Sequence, residues 1–186
     1  GHEMGSIDAR IEAAARRHAQ TTLSTSGTLG QAPEVMLRAA AWNVVCDLTG
    51  AGLCIPASRD WCRDWRGVVL FGWDTFFNGL IAGTESPEHA WANYAAALAG
   101  AAPAGFVPNW TISNGVRTVD RSQPPVGALA VWHTYLRDPD RRQLERLYPG
   151  LLRWHRWWAG ARQTAEGLFA WGSDPRAAYD YPQLKQ

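Results

Sequence analysis

An all-α protein made of stacked antiparallel helix pairs is what the sequence predicts, and three observations carry the prediction. Apolar residues recur at spacings of three and four over most of the chain, strand-like alternation is nearly confined to residues 68–71, and several helices open on clear start signals. Short and long connections alternate between the helices, as they do in hairpin stacks. With 186 residues, 46% hydrophobic and 19% charged, the chain is long enough for one domain with a proper core.

Each element has a local reason. Residues 1–6, Gly1-His2-Glu3-Met4-Gly5-Ser6, read as an expression scar and are set aside, leaving 7–186 as the domain. A first, peripheral helix is expected over 7–19, where Ile11 and several alanines stand among Arg and Glu in amphipathic order. A second is expected over 33–48, with Pro33 near its start and Met36, Leu37, Ala40, Ala41, Val44 and Val45 on one stripe that Trp42 and Cys46 extend. Residues 50–72 carry Gly, Pro and clustered Trp, Arg and Asp, which predicts a long irregular connection delivering Trp73 and Asp74. A third helix follows over 74–82. The fourth opens with Ser86 as cap, Pro87 at the first helical position and Glu88 favoured by the dipole, and ends near Ala101. The fifth begins at Pro124 and Pro125 and carries Val126, Leu129, Ala130, Trp132, His133 and Leu136. The sixth starts at Asp138-Pro139, where Leu144, Leu147, Tyr148, Leu151, Trp154, His155 and Trp158 follow the helical rule and Pro149 is expected to bend it.

Several functions are disfavoured by the same reading. A formal net charge of +1 leaves no surplus of one sign for nucleic acid or an acidic membrane. No run approaches the roughly 18 apolar residues of a membrane span and no secretory segment opens the chain, so the expected location is cytoplasmic. Cys46, Cys54 and Cys62 form no C-x-x-C pair, and His2, His18, His89, His133 and His155 lack metal-ligand spacing. Free thiols, no metal and no cofactor are therefore expected.

Two motifs point to a sugar pocket. Phe71-Gly72-Trp73-Asp74-Thr75-Phe76-Phe77 supplies an indole that can stack on a pyranose face and a carboxylate that can accept from adjacent hydroxyls. Asp120-Arg121-Ser122-Gln123-Pro124-Pro125 supplies a guanidinium and an amide with both donor and acceptor, followed by prolines that fix a helix start. Plainer roles fit the same residues: Trp73 as a core indole, Asp74 as an N-cap, Arg121 and Asp120 as a surface ion pair, and Gln123 as part of an ordinary helix start. Trp171 and Asp174 lean towards structural roles, as does Trp157-Trp158 at core and rim, and Arg59, Arg66 and Trp65 of the loop are candidate subsite residues whose plainer reading is solvated charge. Most of the eleven tryptophans are assigned to packing.

Taken in order, Gly72-Trp73-Asp74-Thr75-Phe76-Phe77, Gly105-Phe106-Val107-Pro108-Asn109, Asp120-Arg121-Ser122-Gln123-Pro124-Pro125 and Trp171-Gly172-Ser173-Asp174-Pro175 resemble the motif series of glycoside hydrolase family 63. The likeness spans about residues 33–186. It is strongest to the bacterial mannosylglycerate and glucosylglycerate hydrolases of that family and more distant to the family 37 trehalases. The resemblance implies an (α/α)6 toroid, of which six helices are about half, and inverting hydrolysis of an α-glucoside or α-mannoside, glycerate glycosides among them. It assigns Trp73, Asp74, Arg121 and Gln123 to substrate binding, with Asn109 as a further contact.

One departure from the family pattern is as informative as the likeness. An inverting glycosidase needs an acid and a base about 6.5–9.5 Å apart. In the relatives the acid is the Asp of an E-S-G-x-D-N-S-type motif after the Trp-Gly-Ser-Asp-Pro segment and the base is a Glu far downstream; neither is found before Gln186, so the catalytic residues are unassigned. The expectation is the N-terminal part of a longer enzyme, whether shortened, processed or split, inactive alone, with apolar flanks that a missing C-terminal half or a second chain covers. The alternatives are a non-catalytic carbohydrate-binding or interaction module, or another enzyme on the same toroid.

Overall fold

The computed structural model describes residues 6–21, 25–48 and 52–173. In chain order these form α1 (Ile7–Thr21), α2 (Ala32–Trp42), β1 (Val45–Asp47), β2 (Gly52–Cys54), α3 (Trp61–Asp64), β3 (Val69–Phe71), α4 (Gly72–Ala82), α5 (Pro87–Ala99), β4 (Trp110–Ile112), α6 (Gly127–Arg137) and α7 (Arg141–Ala161). Helix dominates, and the four strands are three residues each.

Two hairpins carry the core because two connections are short. Residues 83–86 turn α4 into α5, where the Ser86 hydroxyl accepts from His89 N–H at 3.4 Å and donates to Glu88 at 2.9 Å. Glu88 is held below its ordinary 4.5, first by a backbone N–H and then by that hydroxyl. Residues 138–140 turn α6 into α7, with Asp140 as cap accepting from Gln143 N–H at 3.1 Å. Between the hairpins lies the main apolar cluster, in which Phe76 stacks on Tyr94 (5.5 Å) and on Trp154 (5.6 Å). Burying such a side chain is worth about 1.5–3 kcal/mol. Gly79 lies under the Tyr94 ring and Gly127 under Phe76 and Leu151, so both helices pack at glycine distance.

A second tie binds the strands to α4. Asn93, fully buried on α5, accepts from Ile55 N–H at 2.7 Å and donates to Thr75 O, joining the segment after β2 to the first turn of α4. β1 pairs with β2 and β3 with β4, each antiparallel, the second with Val69 opposite Ile112 and Phe71 opposite Trp110.

Several boundaries differ from the expectation. The second helix stops at Trp42, because Asn43 caps it and from Val45 the chain pairs as β1 rather than adding a further turn. Its buried face is narrower than foreseen: Leu37 and Ala40 are buried, while Met36, Trp42 and Cys46 are exposed. The 50–72 connection is not wholly irregular but holds β2, α3 and β3. The third helix starts two residues early, at Gly72, and the fifth starts after its prolines. Leu129, Trp132 and Leu136 of that helix face outwards, as do Tyr148 and His155 of α7, which runs through Pro149. The sixth helix opens at Arg141 because Asp140, not Asp138, is its cap. Helix α1 is peripheral and largely exposed, with His18 paired to Glu85 at 2.7 Å.

The three cysteines are free thiols, Cys46 exposed, Cys62 half-buried and Cys54 fully buried. Among the described residues no helix is long and apolar enough to cross a membrane, and no group of three or more His, Cys, Asp or Glu could hold a metal ion.

Candidate functional site

The first turn of a helix leaves N–H groups without intrahelical partners, and α4 satisfies its own in an unusual way. Phe71, at the N-cap, is extended and offers no side-chain acceptor. Two remote segments supply the acceptors: Gly72 N–H donates to Asn109 O at 3.0 Å and Trp73 N–H donates to Gln123 Oε1 at 2.7 Å. Asn109 N–H in turn donates to Arg121 O at 3.2 Å. The pairing of Phe71 with Trp110 sets this up, since one further step along the ribbon brings Gly72 to Asn109. A Cβ on Gly72 would stand 2.9 Å from Pro108 O and 3.0 Å from Gln123 Oε1, so the approach requires glycine. Three motifs separated by up to 50 residues therefore meet at one helix start.

Their side chains surround that start. Trp73 is half-buried, its ring 5.7 Å from Trp171 in an edge contact and 6.3 Å from Phe77. Phe77 and Trp171 are 42% and 57% exposed, so the aromatic group opens to solvent. Asp74 is half-buried in the first turn, where the dipole favours a carboxylate, and it forms no hydrogen bond or ion pair among the described residues. Arg121 donates to Asp120 at 3.0 Å and to Ser173 Oγ at 2.9 Å. Gln123 is buried at 7% exposure; its Oε1 is committed to Trp73, and its amide nitrogen has no partner among the described residues. Asn109 is half-buried beside them.

Two plain readings of these residues do not hold. Asp74 is not the cap of α4, which is Phe71. The Arg121–Asp120 pair is no surface ion pair, because the Asp120 side chain is fully buried. Trp171 packs on Trp73, whereas Asp174 and Pro175 of the same motif lie outside the described residues. Away from the site, Arg59 covers the Trp42 ring at 4.4 Å, Trp65 packs edge-on to Trp110 at 5.2 Å, and Arg66 is an exposed residue with φ 55°. Phe77 and Ser173 belong to the site although neither was singled out; Phe77, one turn after Trp73, carried a readable helical signal.

Chemically, an open aromatic face, an uncommitted carboxylate, a guanidinium and an amide N–H₂ are the means of holding a polyhydroxylated ring. The sequence profile of a family described as "Mannosylglycerate hydrolase MGH1-like glycoside hydrolase domain" matches residues 70–182, more than half of the chain and inclusive of every residue of the cluster. Among curated proteins none matches. On the strength of that profile, the chain belongs to the mannosylglycerate hydrolase MGH1-like glycoside hydrolase domain family.

Proposed function

We propose that this chain supplies the sugar-holding wall of an inverting α-glycosidase acting on glucosides or mannosides, glycerate glycosides included. The observation that carries the reading is the convergence of Trp73, Asp74, Asn109, Arg121 and Gln123 at the start of α4 through three backbone-anchored hydrogen bonds. Trp73 with Trp171 is the platform for the ring, Asp74 accepts from its hydroxyls, and Gln123 Nε2 and Arg121 donate to them. The acid and base of the reaction come from elsewhere: of the carboxylates in the described motifs, Asp120 is turned inwards against Arg121 and Asp74 is spent on binding.

The hairpins α4/α5 and α6/α7 are, in this proposal, consecutive units of an (α/α)6 toroid. Leu129, Trp132 and Leu136, spaced along α6 at 52%, 52% and 59% exposure, are the seat of a further apolar helical hairpin, from a C-terminal half or another chain.

Titration calorimetry with methyl α-D-glucopyranoside and methyl α-D-mannopyranoside tests the wall. Asp74→Ala is expected to weaken binding about tenfold or more, since charge-assisted hydrogen bonds are worth about 1.5–3 kcal/mol. Unchanged affinity removes Asp74 from the site. Hydrolysis of aryl α-glycosides by this chain alone would place acid and base within it and refute the division of labour, whereas binding that no supplied C-terminal half converts to hydrolysis would favour a carbohydrate-binding module.

A further inference from the structure

We propose that Trp154 is a positioning residue for the sugar site, acting through Ser122; this rests on the reading of the site as a sugar wall. Trp154 is fully buried on α7 and touches both halves of the site. Its ring stacks on Phe76, one turn into α4, at 5.6 Å and an interplanar angle of 29°. Its indole N–H donates to Ser122 Oγ at 2.7 Å. An indole N–H only donates, so Ser122 accepts there and its own proton is directed to Val107 O at 2.6 Å, with Gln123 O at 3.0 Å as second acceptor.

The position of Ser122 gives this relay its meaning. It stands between Arg121 and Gln123, the two side chains proposed to donate to the sugar, and Val107 lies two residues before Asn109. One indole thus fixes the 107–109 loop, the 121–123 segment and the first turn of α4 against one another. Arg162, at the end of the same helix, holds the upstream side by donating to Asp120 O at 2.6 Å. A core tryptophan kept only for its volume needs no such bond: Trp158, one turn further on and 5% exposed, leaves its indole N–H without a partner among the described residues.

Amide hydrogen exchange at Trp73 N–H, whose acceptor is Gln123 Oε1, reads the relay directly. Trp154→Phe keeps an aromatic ring on Phe76 and removes the N–H. Ser122→Ala removes the middle of the relay without loss of core aromatic volume, and decides alone if Trp154→Phe does not fold. Each variant is expected to speed Trp73 exchange about fivefold or more relative to amides in the middle of α5, the loss of one buried hydrogen bond. The double variant is expected to be no faster than Ser122→Ala, because the two act in series. Unchanged Trp73 exchange, or a rise shared equally by α5, overturns the proposal. Calorimetry with methyl α-D-glucopyranoside should show about tenfold weaker binding at unchanged stoichiometry. If the parent chain takes up no sugar, the sugar-wall reading falls while the exchange result still decides the relay.

Discussion

Gln123 holds the start of α4 and is also assigned to the sugar, and the two roles separate by substitution. Gln123→Ala removes the acceptor 2.7 Å from Trp73 N–H in a spot that is 7% exposed, where water cannot fully replace it. Leaving one buried donor unsatisfied costs about 1–3 kcal/mol. At about 2–4 °C per kcal/mol for a domain of this size, the thermal midpoint should fall by roughly 2–12 °C. Gln123→Glu keeps an acceptor at the same place, beside the N–H groups and positive dipole of a helix start, and should stay within about 1 kcal/mol of the parent in urea unfolding. It replaces the amide donor, however, and so should lose sugar affinity about as fully as Gln123→Ala. Equal destabilisation by both substitutions, or none by Gln123→Ala, would refute the claim that α4 is capped from residue 123.

Other outcomes follow from the core and the thiols. Gly79→Ala gains about 1 kcal/mol of helix propensity but drives a Cβ into the buried Tyr94 ring; overpacking at about 1–3 kcal/mol should win, giving a net loss in urea unfolding, and a stabilised variant would contradict the close α4–α5 approach. Ser86→Ala should cost about 1 kcal/mol through loss of the α5 cap, read from the same transition. Burial pushes the Cys54 thiol from 9.0 up to about 12, with Asp47 adding to it, so at pH 8 a maleimide should label Cys46 quickly and Cys54 only on unfolding. Burial likewise raises Tyr94 from 10.0 to about 12, against the opposing Thr134 hydrogen bond. Above pH 9 the unfolded chain releases both protons before the folded one does, so it binds fewer and stability must fall between pH 9 and 12; a urea midpoint that is the same at pH 8 and 11 would contradict this.

Of the core hairpins, α5 and α7 were legible because a cap and a stripe are local signals: Ser86-Pro87 and the apolar run of α7 act within a few residues. The end of α2 was not, because Val44 and Val45 fit a helical stripe as well as a strand and only the pairing of Val45 with Cys54 decides between them. Exposure of Leu129, Trp132 and Leu136 was hidden for a related reason. Periodicity identifies an apolar face but not whether a neighbour covers it.

At the site, the motif residues themselves could be named, since indole, carboxylate, guanidinium and amide announce their chemistry. What joins them could not. The acceptors for Gly72 and Trp73 lie 37 and 50 residues away and one is a backbone carbonyl, which carries no residue-specific signal. Ser122 and Trp154 were visible only as a motif filler and a core aromatic, because a bond across 32 residues has no local trace.

The ribbon that brings Gly72 to Asn109 has an opposite end. Beyond β4 the chain reverses through Ser113 to Val116, with Ile112 N–H bonded to Val116 O, Gly115 at φ 93°, and Asn114 and Gly115 exposed. Four residues of extended chain put the start of this turn, Ser113, roughly 13 Å from Asn109. A fluorophore, affinity tag or surface tether inserted between Asn114 and Gly115 would therefore hang from the strand that leads to the proposed sugar wall, yet away from where that proposal seats a monosaccharide. That makes the reverse turn the natural attachment point for an immobilised or labelled form of this chain with which the proposed sugar binding can be read.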